Sequence, residues 1–127
     1  MTEENFVLIV DDNKDIHDLL TALLETFGLE ARTACNGLEA LEVMEKATPK
    51  VIFLDVMMPG MDGLSLLTKI RADRSIADVP VILFSAVSDL DRFTKLGGVS
   101  HVLQKSYINV ANVREALVKV GALPEAS

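Results

Sequence analysis

The chain has a single cysteine, Cys35, no apolar run long enough to cross a bilayer, and too few basic residues to balance its acids. Each shortage removes a class of function. One cysteine cannot close an intramolecular disulfide or build a cysteine-based metal site, which fits a reducing compartment. Cys35 itself reads as a small buried or half-buried residue. The longest apolar stretches, such as Phe6 to Val10 and Val81 to Phe84, fall far short of the roughly 18 residues of a membrane-spanning segment, so no insertion is expected. Met1 to Asn5 carry neither the basic nor the apolar part of a secretory signal, and a cytoplasmic location is expected. With 19 acidic against 12 basic side chains the net charge is -7, which repels a polyanion on average and argues against direct nucleic-acid binding. No repeat, linker or low-complexity tract interrupts the chain.

What is present is enough for one core. Half of the 127 residues are hydrophobic and 24% are charged, the balance of a chain that folds alone rather than staying disordered. That length matches one domain, here residues 1–127 with a core from about 5 to 122 and no output domain.

Short continuous apolar runs alternate with amphipathic stretches, the pattern of strands and helices taking turns around a parallel sheet. Strands are expected at Phe6 to Val10, Leu29 to Ala34, Val51 to Leu54, Val81 to Phe84 and Ser100 to Gln104. The second, with Glu30 and Arg32, alternates like an edge strand. Ile16, Leu19, Leu20, Leu23, Leu24 and Phe27 recur at helical spacing and stop at Gly28. Further helices are expected over Gly37 to Ala47, over Gly63 to Ala72 with Leu64, Leu67 and Ile70 on one side, and over Ser88 to Leu96. A last helix places Val110, Val113, Leu117 and Val120 on one stripe.

Right-handed crossovers turn such a series into an open doubly wound sheet, which binds ligands beyond the carboxyl ends of its strands. The residues at those ends are Asp11 and Asp12 after strand one, Asp55 after strand three, Ser85 after strand four and Lys105 after strand five. If strands one and three are neighbours, their ends lie about 4.8 Å apart, and three carboxylates meet. Packed like charges need a cation among them. A hard divalent ion suits such oxygen ligands, so Mg2+ is the first choice, with Mn2+ as a possible substitute. Formally, one divalent ion and Lys105 balance the three aspartates. A buried carboxylate can act as a nucleophile toward phosphorus, and Asp55, central in the crescent, is the expected acceptor. Taken singly, Asp11-Asp12 reads as a turn or helix cap, Ser85 as a turn residue and Lys105 as a solvated strand end. Their conjunction reverses those readings.

Val10-Asp11-Asp12, the segment Leu54-Asp55-Val56-Met57-Met58-Pro59-Gly60-Met61-Asp62-Gly63, the pair Ser85-Ala86 and Lys105 together resemble a response regulator receiver domain, over essentially the whole chain. The resemblance implies a flavodoxin-like (βα)5 fold with strand order 2-1-3-4-5. It implies metal binding by Asp11, Asp12, Asp55 and the backbone carbonyl of Met57, with Asp55 as phosphoacceptor, Ser85 binding the phosphoryl group and Lys105 pairing with it. It also implies a sensor histidine kinase or phosphotransfer protein as donor and a downstream protein as target. Such a protein is no enzyme beyond metal-dependent self-phosphotransfer and autodephosphorylation.

Two positions depart from the family pattern. Val102 stands where a switch aromatic is usual, and Ser106 replaces the proline that usually follows the lysine, while Tyr107 keeps a familiar aromatic. These departures keep open an alternative, a degenerate receiver that binds partners without phosphorylation. A phosphatase with an aspartyl nucleophile would need a substrate cap, and a flavin or nucleotide carrier would need a glycine- and hydroxyl-rich loop where Asp11-Asp12 stands. Among the remaining polar residues, His17 between Asp15 and Asp18 reads as an exposed helical residue rather than a phosphorylatable one. His101 reads as structural, with pH or partner sensing as the alternative. Met57, Met58 and Met61 read as local packing rather than a soft metal site.

Overall fold

The computed structural model describes residues 6–56, 63–85 and 99–124. Among them the order is β1 (Phe6–Val10), α1 (Lys14–Thr26), β2 (Glu30–Ala34), α2 (Gly37–Lys46), β3 (Val51–Asp55), α3 (Gly63–Ala72), β4 (Val81–Ser85) and β5 (His101–Gln104). A single 3-10 turn at Lys105–Tyr107 and the C-terminal helix α4 (Val110–Lys119) follow. The strands form one parallel sheet in the order β2-β1-β3-β4-β5. The expected helix over Ser88 to Leu96 lies outside the described residues.

The apolar runs are continuous because both faces of the sheet are covered. Alternate side chains of β1 separate cleanly: Phe6, Leu8 and Val10 join Ile52 and Leu54 under α2 and α3, where Ala40, Met44, Leu66, Leu67 and Ile70 are buried. Val7 and Ile9 join Phe53, Ile82 and Phe84 on the other face, under Leu20 and Leu24 of α1 and Val113, Ala116 and Leu117 of α4. The period of two along each strand thus builds a three-layer sandwich in which every carboxyl end of the sheet points the same way.

Local chemistry sets the helix ends. Asn13, Asn36 and Asn109 each accept a backbone N–H two or three residues on, at 2.8, 2.9 and 2.8 Å, filling one of the bonds that a helix start leaves open. After α1, Gly28 takes a φ of 77°, letting Leu29 N–H reach back to the Leu24 carbonyl at 3.0 Å.

The structure corrects the readings of six residues. Cys35 is exposed, because it follows the last residue of the edge strand β2 and only its backbone is engaged, donating to Glu39 Oε1 at 2.8 Å. Leu19 is 42% exposed and His17 is buried, so the inner face of α1 runs through 17, 20 and 24. Val110 is 50% exposed at the first residue of α4, before that helix meets the sheet. Asp55 and Ser85 are the last residues of their strands rather than the first of their loops, and the ladder continues past Asp55, with Val56 N–H donating to the Phe84 carbonyl at 3.0 Å.

Candidate functional site

β1 and β3 are neighbours in register, Val10 beside Leu54, so Asp11 and Asp55 emerge together at the carboxyl end of the sheet. Carboxylate oxygens of Asp11, Asp12 and Asp55 lie within 4.8 Å of one another. Asp11 and Asp55 are buried, at 0% and 1% exposure, whereas Asp12 is open to solvent.

Lys105, brought over from the end of β5, is the cation that faces them. Its Nζ lies 2.9 Å from Asp11 Oδ2 and donates to Asp55 Oδ2 at 3.2 Å. The Asp11 contact is an ion pair, and Asp11 Oδ2 is buried with that ammonium as its neighbour. Burial alone would lower the Lys105 pKa. Contact with Asp11 and the charges of Asp55 and Asp11 outweigh it, and the ammonium is held above its ordinary value. The same Nζ sits 5.4 Å from the centre of the Phe84 ring, an aromatic floor beneath the charge.

The donor set fits a divalent cation. Among the described residues three carboxylates face a single ammonium, and burying two of them is costly without further positive charge. Asp11 Oδ2, buried and paired with the Lys105 ammonium, is a charged oxygen of the kind a hard ion takes.

The remaining expected residues fall into place unevenly. Ser85 is fully buried at the end of β4, opposite Gln104 of β5, on the same rim of the sheet. Met57, with Met58 and Met61, lies outside the described residues. Val102 is half-buried and packs against the core beneath α2 and α3. Sequence reasoning missed His17, whose Nε2 lies 2.6 Å from the Asp11 carbonyl oxygen. It also missed Asn13, whose N–H donates to Asp11 Oδ1 at 2.8 Å. The signal for His17 was its place on the 17, 20, 24 stripe, and that for Asn13 was its place before a helix.

The family model of the response regulator receiver domain matches residues 7–118. The chain belongs to the response regulator receiver family. This receiver is 37% identical over 119 residues to the transcriptional regulatory protein CpxR homolog of Haemophilus influenzae, covering 92% of this chain and 49% of that protein. It is 38% identical over 104 residues to the probable transcriptional regulator ycf27 of Cyanidium caldarium, covering 80% of this chain and 41% of that protein. It therefore spans less than half the length of these two relatives. Among solved structures it is similar to response regulator protein TrrA of Thermotoga maritima, in complex with Mg2+-BeF, with a TM-score of 0.80 and 31% identity over 92% of this receiver and 99% of that chain. The chemotaxis protein CheY4 of Vibrio cholerae gives a TM-score of 0.80 and 30% identity, covering 90% and 96%. Flavodoxin-like topology and order 2-1-3-4-5 accord with these neighbours. No helix among the described residues is long and apolar enough to cross a membrane.

Proposed function

We propose that this receiver takes a phosphoryl group onto Asp55 from a phosphohistidine of a sensor histidine kinase or phosphotransfer protein. The observation that carries the reading is Lys105 Nζ lying between Asp11 and the acceptor, 2.9 and 3.2 Å from their carboxylates. An Asp55 carboxylate oxygen forms the new O–P bond while the P–N bond of the donor breaks and its electron pair returns to the imidazole. Lys105 offsets charge on the transferred oxygens, and Ser85 binds one of them. A Mg2+ ion, or Mn2+ in its place, held by Asp11, Asp12, Asp55 and the Met57 backbone carbonyl, supplies the further positive charge that a phosphoryl donor needs to approach this acidic rim.

Burial holds the acceptor still: Asp55 ends a central strand and is 1% exposed, so its carboxylate has little freedom to lose on reaction. The product carries more negative charge than the carboxylate it replaces, which biases the surface toward a downstream protein partner. Residues 1–127 act as one domain with its core at about 5 to 122. Its chemistry is limited to self-phosphotransfer and autodephosphorylation. Its net charge of -7 supports recognition of proteins rather than nucleic acid, and a cytoplasmic location goes with that reading. Incubation with acetyl phosphate and Mg2+ is expected to add one phosphoryl mass to the wild type and none to Asp55→Asn. An unchanged wild-type mass, or equal gain in both, would overturn the assignment.

A further inference from the structure

The Asp11 backbone is buried where the β1 ladder ends. Its N–H still makes a strand bond, donating to the Ala34 carbonyl at 3.1 Å. Its carbonyl accepts from a side chain instead, with His17 Nε2 at 2.6 Å. Both residues are buried, Asp11 at 0% and His17 at 8% exposure. A buried carbonyl needs a partner, and having no hydrogen of its own it requires Nε2 to carry the proton.

This bond reaches the acidic cluster through the stiffness of the peptide. The unit joining Asp11 to Asp12 is planar, so pinning its oxygen fixes where the Asp12 Cα lies and from which direction its side chain starts. The two residues joined there supply two of the three carboxylates grouped within 4.8 Å. A second tie acts on the same turn: Asp11 Oδ1 accepts the Asn13 N–H at 2.8 Å, and Asn13 caps α1 by accepting from Asp15 N–H at 2.8 Å. Helix α1 therefore grips the Asp11-Asp12 turn at its start through Asn13 and from its inner face through His17. An apolar residue at 17 would pack on the same core face but leave the buried carbonyl unpaired.

We infer that His17 is a positioning residue for the cation site, its Nε2–H holding the Asp11-Asp12 peptide so that both carboxylates are set before a cation arrives. The inference rests on the metal-binding role proposed above for Asp11 and Asp12.

The test compares His17→Gln, whose amide nitrogen donates at similar reach, with His17→Met, of nearly the same shape but without a donor. Both are made in the full chain. Mn2+ affinity is read from the free-ion signal in electron paramagnetic resonance, and folding from circular dichroism. The Met variant is expected to keep its helical spectrum and bind Mn2+ about tenfold more weakly, the scale typical of residues that orient metal ligands. The Gln variant is expected to stay within about threefold of wild type. A folded Met variant with wild-type affinity, or a Gln variant as weak as Met, overturns the role. If the Met variant does not fold, imidazole nitrogen NMR of the wild type decides. A hydrogen-bonded Nε2 proton on His17 that shifts saturably with Mg2+ supports the role, and a ring protonated only at Nδ1, or unmoved by Mg2+, overturns it. Wild type that fails to bind Mn2+, or an Asp55→Asn variant that binds it as well as wild type, overturns the metal site and this role with it. Weakened Asp55→Asn beside a folded Met variant of wild-type affinity overturns the His17 role alone.

Discussion

Gly63 opens α3 directly against the backbone of Asp55, the proposed acceptor, its N–H donating to the Val56 carbonyl at 3.1 Å. A Cβ at this position would overlap the Asp55 carbonyl oxygen and lie 2.9 Å from both the Asp55 carbonyl carbon and the Val56 Cα. All three are backbone atoms at the end of a central strand, so no side chain can swing aside. Two effects of Gly63→Ala oppose each other. Alanine is favoured over glycine within a helix by up to ~1 kcal/mol. Overpacking costs ~1–3 kcal/mol, and a backbone obstacle places this case at the upper end. The net expectation is a loss of about 2 kcal/mol, which lowers the Tm of a domain this size by roughly 8 °C. Phosphorylation should suffer more than stability, because moving the Asp55 carbonyl moves the proposed nucleophile, and a displacement of ~1 Å costs on the order of a hundredfold in rate. Thermal melts followed by circular dichroism give the first quantity. Initial rates with acetyl phosphate, measured by intact mass well below the variant's melting temperature, give the second. A variant that phosphorylates at the wild-type rate would refute the coupling between α3 and Asp55, whatever its stability.

Mg2+ at about 100 times its Kd is expected to stabilise the fold by ~2.7 kcal/mol, reversibly with EDTA, and by much less in Asp12→Asn. A wild-type melt that ignores Mg2+ would count against the carboxylate cluster as a cation site. Burial, reinforced by the charge of Lys119 and opposed by that of Glu115, lowers the pKa of His101. The unfolded ring, titrating near about 6.5, therefore takes up its proton before the folded one, so this contribution is complete above that pH and is lost as pH falls from there toward the lower folded value. Chemical denaturation across that window should show stability falling in the wild type and a flatter profile in His101→Gln, and equal slopes would refute the assignment.

The strands could be read from the chain because buried parallel strands leave an uninterrupted run of Val, Ile, Leu and Phe, as in Val81 to Phe84. The last residues of β3 and β4 could not, because polar Asp55 and Ser85 end the apolar run before the hydrogen-bond ladder ends. Helix α1 shows a different limit. Six apolar residues between Ile16 and Phe27 span more than one face, and hydropathy cannot tell which of them turns inward. Packing resolves it by burying Leu20 and Leu24 and leaving Leu19 largely exposed, and it brings in a histidine whose polarity argued for the surface. His17 is buried because a carbonyl waits for it, a fact carried by the fold of the turn rather than by residue type. Asp11, Asp12, Asp55 and Lys105 were legible as strand-end residues. The contact of one ammonium with two of those carboxylates needed the sheet order to bring β5 within reach.

That shared ammonium constrains how the site can be controlled. Lys105 is held above its ordinary pKa, near 10.4 for a free side chain, so it stays charged throughout the neutral range. Its contribution to the rim is then fixed, and a change of pH near neutrality cannot alter it. Among the described residues one fixed positive charge faces three carboxyl groups, two of them on buried residues. On the proposed reading, what arrives and leaves also changes the charge of such a site, namely a bound cation or a transferred phosphoryl group. The two act in opposite directions on the same local balance, the first relieving the excess of negative charge and the second adding to it. Phosphorylation of Asp55 should therefore be tightest in its dependence on divalent cation and weak in its dependence on pH around neutrality, a pairing that initial rates over a grid of Mg2+ concentration and pH would display directly.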